Sequence, residues 1–431
     1  MGSEKGGSCF LITRAGDLHL AGNRKPKFFY GYVVVAAAFL IMVVSWGAIS
    51  TFGVFFKPLS TEFGWTRAAI SGAYSLCIIL SGLVAIGMGR LTDRFGPRLV
   101  ITACGFLVGL GFLLMSQIGA IWQLYLFYGV IVGIGLSAAW VPLVSPVARW
   151  FTQRRGLMTG IVVSGAGLGT MIMPPVTSWF ISNHGWRTSY IILGIIALVL
   201  IVLVAQFLKH APAQTGQVPY RVDEVKVDSL NLEARGFSLK EAIHTRQFWT
   251  LSAMWLCFGF SLGGIWVHIV IHATGIGISA ASAANILAIS GGASIPGGII
   301  IGSVADRIGS RPALIITSIL FSGALLWLLG AKELGMLYLF AAILGFGYGG
   351  LFVLESPLVA KLFGLSSHGV ILGSVGFSYM VGDAIGPVVV GGIFDSTGSY
   401  SLAFLACAIV SVIGLILASL LKPTSSEGGE K

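Results

Sequence analysis

Two acidic residues lie inside long apolar stretches of this sequence, Glu355 within residues 335–362 and Asp383 within residues 369–391. An ionised side chain in the middle of a hydrocarbon layer costs about 2.5 kcal/mol or more, so acids in such a setting are seldom kept without a use. We interpret both carboxyl groups as candidates for proton coupling or for contact with a cation. Structural hydrogen bonding by two neutral carboxyl groups is the alternative.

Two histidines, His268 and His272, are four residues apart and therefore share one face of a helix. The spacing suits a metal ion, but no third ligand lies near them in the sequence, so we expect no metal site. A pair linked to protons or to substrate gating and a pair at the membrane interface both remain open. Four aromatic residues are candidates for the floor of a cavity, with helix packing as the alternative: Trp46, Trp140, Tyr348 and Tyr379.

The apolar character of the chain identifies it as a membrane protein. Of its 431 residues, 56% are hydrophobic and 10% are charged, whereas a soluble domain carries roughly 25% charged residues. Apolar runs of about 20 residues recur, which is the length that a helix needs to cross the hydrocarbon core. They do not alternate as the strands of a membrane β-barrel would. The net charge of +10 therefore indicates the positive-inside bias of membrane proteins, not nucleic-acid binding.

The apolar runs predict an all-α membrane protein with twelve transmembrane helices. In the first half they cover residues 30–53, 68–89, 98–117, 121–150, 156–178 and 188–208. In the second half they cover residues 247–271, 282–303, 312–330, 335–362, 369–391 and 401–421. The expected domains are an N-terminal tail at 1–27, six-helix bundles at 28–208 and 247–421, a charged linker at 209–246 and a C-terminal tail at 422–431. Ser238 and Glu241 in the linker have the spacing of a capping box, which predicts a short helix on the membrane surface.

The positions of Lys and Arg predict the orientation of the helices. If both termini are cytoplasmic, only four of the 26 basic residues fall on the opposite side of the membrane: Lys57, Arg67, Arg187 and Lys332. The reverse orientation would violate the positive-inside rule. We therefore expect an integral protein of the plasma (cytoplasmic) membrane with both termini in the cytoplasm.

A polar sequence between two apolar runs occurs twice, at residues 89–98 and 302–311, with Gly, Asp, Arg, Gly and Arg in register. The shared positions are Gly89, Asp93, Arg94, Gly96 and Arg98 in the first copy, and Gly302, Asp306, Arg307, Gly309 and Arg311 in the second. The duplication indicates two similar halves. Transporters built from two parallel repeats, related by an axis along the membrane normal, have this organisation.

The doubled loop resembles the hallmark of the major facilitator superfamily. Other segments resemble the monocarboxylate and oxalate:formate porter branch of that superfamily: Tyr30-Gly31-Tyr32, Arg154-Arg155-Gly156, the glycines from Gly160 to Gly169, Phe248-Trp249 and Asp395–Tyr400. The resemblance covers about residues 28–421. It implies the major facilitator fold, a rocker-switch carrier with helices 1, 4, 7 and 10 around a central cavity, and a latch of the outward-facing state formed by the loop residues. Positive anchors with turn glycines are the alternative for that loop.

Glycines are concentrated in the predicted fifth helix, at Gly160, Gly165, Gly167 and Gly169. Small residues at this spacing permit close approach of neighbouring helices, and the following Pro174-Pro175 pair favours a kink. Packing and a hinge are both consistent with the pattern.

The cargo is the open question. Carboxylate carriers of the branch resemble one another in having a cationic side chain deep in helix 8 or helix 11, but here residues 282–303 contain none before the loop and helix 11 offers Asp383. His268 would supply a positive charge only if protonated. The resemblance therefore implies a monocarboxylate, whereas the residue chemistry favours a neutral or cationic compound.

These observations predict a secondary active transporter of a small organic solute that alternates access and is coupled to protons through Glu355 and Asp383. We expect no enzyme activity because no nucleophile–base pair, metal set or phosphate loop is present in the sequence, and we expect no cofactor. The expected partners are the solute, protons and membrane lipid, not nucleic acid. A transport-inactive sensor or scaffold that docks a partner on residues 209–246 is the remote alternative.

Overall fold

In a computed structural model of the chain, residues 29–151, 155–209, 237–364 and 367–421 are described. The helices of the first half are α1 Gly31–Ser50, α2 Phe52–Phe63, α3 Arg67–Phe95, α4 Pro97–Met115, α5 Ile121–Leu124, a π-helical segment Tyr125–Val132, α6 Gly133–Leu136, α7 Val141–Trp150 and α8 Arg155–Ala205. Those that follow are α9 Leu239–Ala242, α10 Arg246–Gly275, α11 Ala280–Ile308, α12 Ser310–Leu328, α13 Leu334–Phe363, α14 His368–Thr397 and α15 Ser401–Leu420.

These helices account for twelve membrane crossings. Ten segments of the described chain are long and apolar enough to span a bilayer. One of them, Met158–Ala205, has 48 residues and contains Gly185 at φ 79° and ψ 162°, a non-helical conformation that divides α8 into two crossings. The remaining crossing is the chain from α5 to α7. The twelve-helix membrane fold predicted from the sequence is thereby confirmed.

The crossings form two bundles that pack against each other along extended seams. In the first bundle α8 packs on α1 and α4, and α3 packs on the π-helical segment. In the second, α14 packs on α10, α13 packs on α11 and α12, and α15 packs on α10 and α12. The bundles meet where α3 contacts α14, where α8 contacts α11 and, less extensively, where α2 contacts α10. We call the end of the molecule at Gly96 and Gly309 the motif end and the opposite end the far end.

The fourth crossing differs from the single helix predicted over 121–150. Its middle is π-helical, and residues 137–140 are not helical. Pro142 stands at the start of α7; it has no N–H to donate, and its ring would clash with the carbonyl of Ala138 in a continuous helix. The helix therefore stops before this proline and begins again at Val141.

The first crossing is longer than the predicted 30–53. Helix α2 continues through Pro58 to Phe63, where Gly64 ends it at φ 65°. Its apolar face stays buried through Phe55, Phe56 and Leu59, while the opposite face is polar. Hydropathy alone marks the end of an apolar run and not the end of a helix that has become amphipathic, so the sequence prediction stopped too early.

The second glycine of each doubled loop forms a helix corner. Gly96 (φ 80°, ψ 156°) is the one residue between α3 and α4, and Gly309 (φ 91°, ψ 155°) is the one residue between α11 and α12. This part of φ/ψ space is essentially restricted to glycine. The repeat of glycine at these positions therefore has a conformational cause.

The short helix α9 begins with the expected capping box. Ser238 Oγ accepts a hydrogen bond from the backbone N–H of Glu241 at 3.3 Å, and Glu241 Oε2 accepts one from the backbone N–H of Ser238 at 2.8 Å. The charged part of the predicted linker, residues 210–236, lies outside the described residues.

Candidate functional site

Asp383 lies in the middle of α14 and is 8% exposed. Gly263 of α10 makes room for it: a Cβ atom at that glycine would lie 3.0 Å from Asp383 Cα. The Tyr74 hydroxyl of α3, in the other bundle, lies within electrostatic reach of the Asp383 carboxyl group. Tyr128 and Cys77 of the first bundle also lie within electrostatic reach of it. This carboxyl group is therefore at the contact between the two bundles.

Glu355 is on α13, nearer the motif end, and is partly exposed. A Cβ atom at Gly376 of α14 would lie 3.5 Å from Glu355 Oε1, so the carboxyl group faces α14. Tyr379 lies within electrostatic reach of both Glu355 and Asp383. The structure therefore groups around one tyrosine two acids that the sequence could place only on separate helices.

The four aromatic candidates fall into two sets. Tyr348 and Tyr379 are joined through Phe352, whose ring centroid is 6.2 Å from that of Tyr348 and 5.2 Å from that of Tyr379. Trp46 and Trp140, in the first bundle, are edge to face with centroids 6.1 Å apart. Trp140 stands at the break of the fourth crossing and is 39% exposed. The first set adjoins the two acids, and the second belongs to the opposite half.

Three tryptophans that pack against or belong to the four aromatic candidates have hydrogen-bond donors without a partner. Among the described residues, the indole nitrogens of Trp46, Trp255 and Trp266 are buried without a hydrogen-bond partner. Trp255 packs against Tyr379 at 6.1 Å between centroids, and Trp266 packs against Tyr348 at 5.6 Å. Buried donors are nearly always paired, so these N–H groups are exceptional among the described residues.

The two histidines have different surroundings, although they share a helix face. His268 is fully buried; its Nδ1 lies 2.9 Å from the Tyr400 hydroxyl, and its Nε2 lies 2.9 Å from the Pro387 carbonyl and 3.0 Å from Ser71 Oγ. His272 instead packs on the ring of Tyr400, with centroids 5.5 Å apart. Only His268 therefore contacts both bundles through hydrogen bonds.

Sequence reasoning did not single out Arg67 and Asp395 as functional residues. Asp395, near the end of α14, accepts hydrogen bonds from the backbone N–H groups of Arg67 at 3.0 Å and Ala68 at 2.9 Å, at the start of α3. The Arg67 guanidinium donates to the Tyr400 hydroxyl. The available signals were that Arg67 is one of the few basic residues on the far side and that Asp395 belongs to a segment of family resemblance. We call the contacts among Arg67, Ala68, Asp395, Tyr400 and His268 the far-end tie.

Two arginines of the doubled loop, Arg98 and Arg311, form hydrogen bonds within their own bundles. Arg98 Nε donates to Gln206 Oε1 at 2.6 Å, and Arg311 Nη2 donates to the Ser419 carbonyl at 2.8 Å. Arg94 and Arg307 are exposed. Gly89 and Gly302 lie inside α3 and α11. The side chains of Asp93 and Asp306 lie outside the described part of the structure, so the latch stays a prediction.

Curated relatives of this chain include transporters of the branch suggested by the sequence. Monocarboxylate transporter 12 of Mus musculus is 26% identical over 410 residues, which is 90% of this chain and 84% of that protein. The oxalate:formate antiporter of Oxalobacter formigenes is 27% identical over 416 residues, 94% of this chain and 93% of that one. An uncharacterized MFS-type transporter, YhjX of Escherichia coli (strain K12), is 29% identical over 329 residues, 74% of this chain and 78% of that protein.

The fold is that of a solved transporter. A bacterial homolog of the human lysosomal transporter Spinster, in an inward-facing and occupied conformation, superposes with a TM-score of 0.69 over 91% of this chain and 96% of that one, at 16% identity. The family model of the Major Facilitator Superfamily matches residues 38–302 and 268–431. Two six-helix bundles, a doubled loop and these matches agree: the chain is an integral membrane protein that belongs to the major facilitator superfamily of transporters.

Proposed function

We propose that this protein is a secondary active transporter that carries a small monocarboxylate together with a proton by alternating access between its two bundles. The observation that carries the proposal is the position of Asp383, a buried carboxyl group at the contact between the bundles, within electrostatic reach of a hydroxyl of the opposite bundle. A group in that position changes its neighbours whenever the bundles move relative to each other. Its proton affinity is thereby tied to the conformation.

A monocarboxylate can be bound here without a fixed positive charge. In the described part of the chain, no Lys or Arg acts electrostatically on Asp383 or Glu355. A protonated carboxyl group donates a hydrogen bond to a carboxylate, and the Tyr379 hydroxyl and the unpaired indole N–H groups supply further donors. An anion would therefore bind only when a carboxyl group beside it holds a proton. Proton and anion would cross together, with no net charge moved.

A neutral or cationic solute is the second candidate, favoured by a specific observation. Two acids are grouped with the rings of Tyr348, Phe352 and Tyr379. Ionised carboxylates and aromatic faces are the groups that bind organic cations. In this case the solute would compete with the proton for the same carboxyl groups, and the two would move in opposite directions.

The orientation completes the proposal. With the positive-inside rule applied, the motif end faces the cytoplasm, both termini are cytoplasmic and the membrane is the plasma membrane. Residues 209–246 then form a cytoplasmic linker between bundles 28–208 and 247–421. The doubled loop at the cytoplasmic face would latch the outward-facing state through Asp93 and Asp306.

Uptake into proteoliposomes tests the function. Radiolabelled lactate and a radiolabelled primary amine are supplied outside, with an imposed pH gradient of either sign. We expect lactate to accumulate when the outside is acidic. We expect Glu355→Gln and Asp383→Asn to abolish accumulation driven by the gradient, while exchange of lactate for lactate persists in at least one of them. Glu333→Gln, at an exposed acid that precedes α13, is the matched control.

The outcomes separate the candidates. Unchanged gradient dependence in both variants would overturn the coupling assignment. Amine uptake driven by an acidic interior, without lactate uptake, would favour the second candidate. No flux of either solute or of a wider panel of organic acids and amines would favour a transport-inactive membrane protein.

A further inference from the structure

Groups from both bundles contact each other at the far end of the molecule, at a distance from the two acids. Asp395 is twelve residues beyond Asp383 on α14, which is about 18 Å at 1.5 Å per residue. The contacts at this end join the first turn of α3 to the last turns of α14 and α10. We propose that the far-end tie is a gate, which closes the transport pathway at this end and is broken and remade in each transport cycle. The inference rests on the alternating access of the proposed function, but not on the identity of the cargo.

The first step of the argument is the capping of α3. The first N–H groups of a helix have no partner within the helix. Thr66, the residue before α3, accepts a hydrogen bond from the Ala69 N–H. The N–H groups of Arg67 and Ala68 are both satisfied by the carboxylate of Asp395. One bundle therefore supplies the negative charge that the positive end of a helix in the other bundle favours.

The second step is the order of the hydrogen bonds that extend from Arg67 into the second bundle. The Arg67 guanidinium lies 3.5 Å above the ring centroid of Phe394 and donates to the Tyr400 hydroxyl. A carbonyl can only accept, so the contact between Pro387 and His268 places the proton of a neutral His268 on Nε2. His268 Nδ1 then accepts from the Tyr400 hydroxyl. The donors thus run from Arg67 through the Tyr400 hydroxyl to His268, and from His268 Nε2 to the Pro387 carbonyl.

The third step is the space between the helices. A Cβ atom at Gly391 would lie 2.8 Å from Ala68 N, 2.9 Å from Arg67 C and 3.0 Å from Ala68 Cα. These are backbone atoms of the other bundle, which cannot give way as a flexible side chain would. The next residue, Gly392, has no atom within 4 Å of the same position. The closed tie therefore requires glycine at 391 and not at 392.

The fourth step is that the tie can open at low cost. Asp395 is exposed and Arg67 is partly exposed, so water can replace their partners when the bundles separate. These charged groups are hydrated both when the tie is closed and when it is open. Their contact therefore favours the closed conformation by only a small free energy, which allows it to open again. A permanent structural joint would instead be expected to bury its charges.

The neighbouring glycines provide a matched test. Native Cys77 is buried on α3 within electrostatic reach of Asp383, below the tie, and it serves as the reporter after the other four cysteines are replaced by serine. The protein is reconstituted in proteoliposomes, and a membrane-impermeant maleimide is added on the far-end side. We expect Gly391→Ala to be labelled at least about fivefold faster than the parent, since overpacking of a tight contact shifts a conformational ratio by at least this factor. Gly392→Ala should be labelled at the rate of the parent.

A second pair of variants acts on charge without adding volume. Asp395→Asn and Asp395→Ala should also increase labelling of Cys77, whereas Ser279→Ala should not, although it removes a cap of α11 at the same end. Equal labelling of the Gly391 and Gly392 variants, together with unchanged labelling of the Asp395 variants, would overturn the proposal. Thermal unfolding of each variant shows that it is folded. Labelling of Cys77 needs no cargo. A failure of lactate uptake would therefore refute the proposed function without affecting the gate, and unchanged labelling would refute the gate without affecting the uptake result.

Discussion

Gly167→Ala should weaken the seam between the bundles where α8 meets α11. A Cβ atom at this glycine would lie 2.7 Å from Ser294 Oγ, 2.8 Å from Ile295 Cγ1 and 2.9 Å from the Gly291 carbonyl oxygen. The reciprocal position is equally tight, because a Cβ atom at Gly291 would lie 2.7 Å from both the Gly167 carbonyl oxygen and Met171 N. The two helices therefore meet backbone to backbone.

The magnitude follows from two opposing effects. Alanine is favoured over glycine in a helix by about 1 kcal/mol, whereas overpacking of a close contact costs about 1–3 kcal/mol. Gly160→Ala, in the same helix but with no atom within 4 Å of its Cβ position, has the first effect without the second. The difference between the two variants is therefore the cost of the contact. If the seam is tight in only one conformation, this cost changes the conformational ratio by about 5–150-fold.

Distances between spin labels on the two bundles measure the effect. Labels are attached to cysteines at Val199 and Ile299, which are 44% and 66% exposed, and double electron–electron resonance is recorded in lipid nanodiscs. We expect Gly167→Ala to populate a distance that is minor in the parent, and Gly160→Ala to keep the parental distribution. Identical distributions for the two variants would refute the idea that this seam controls the arrangement of the bundles.

Three further outcomes are expected. The four cysteines of the described chain are buried, so an impermeant maleimide should label them slowly in the native protein and fully after denaturation; rapid labelling would contradict their placement. Hydrogen bonds from Ser238 hold the pKa of Glu241 below its ordinary value, so their contribution to the short helix is present above the ordinary pKa and is lost as the pH falls through the lowered one. Amide hydrogen exchange at Glu241 should show this loss, and Glu241→Gln, which removes the titrating carboxyl group, should remove its pH dependence. Arg187→Gln should barely change the melting temperature, because its pair with Glu62 at 2.5 Å is 45% and 39% exposed; a drop of many degrees would show that the pair matters.

The fold could be predicted from the sequence because its signals are local. Each crossing is encoded by the length of an apolar run, and the two halves are encoded by the doubled loop. The errors are also local. Pro142 marks the break in the fourth crossing, yet a scale of hydropathy gives proline no special weight. The amphipathic turn that ends in Phe63 has no apolar run to reveal it.

The candidate site could be predicted only in part. Glu355 and Asp383 were recognisable because an acid in an apolar run is conspicuous wherever it points. The far-end tie was not recognisable, because Arg67 and Asp395 are 328 positions apart and each is an ordinary charged residue at a helix end. Their pairing depends on how two bundles dock, which no local pattern encodes. The grouping of both acids around Tyr379 depends on the same docking.

The one-residue corners at Gly96 and Gly309 have a mechanical consequence. A connection of one residue contains no flexible loop. Helix α4 must therefore follow any tilt of α3, and α12 must follow any tilt of α11. Each half thus contains a pair of helices that moves as one unit, α3 with α4 in the first half and α11 with α12 in the second. Bending during a movement of the bundle must then occur elsewhere. The non-helical residues 137–140 of the fourth crossing are one place in the described chain that can bend. The second bundle has an unbroken helix, α13, at the equivalent place, so the two halves share the one-residue corner but differ in their fourth crossing.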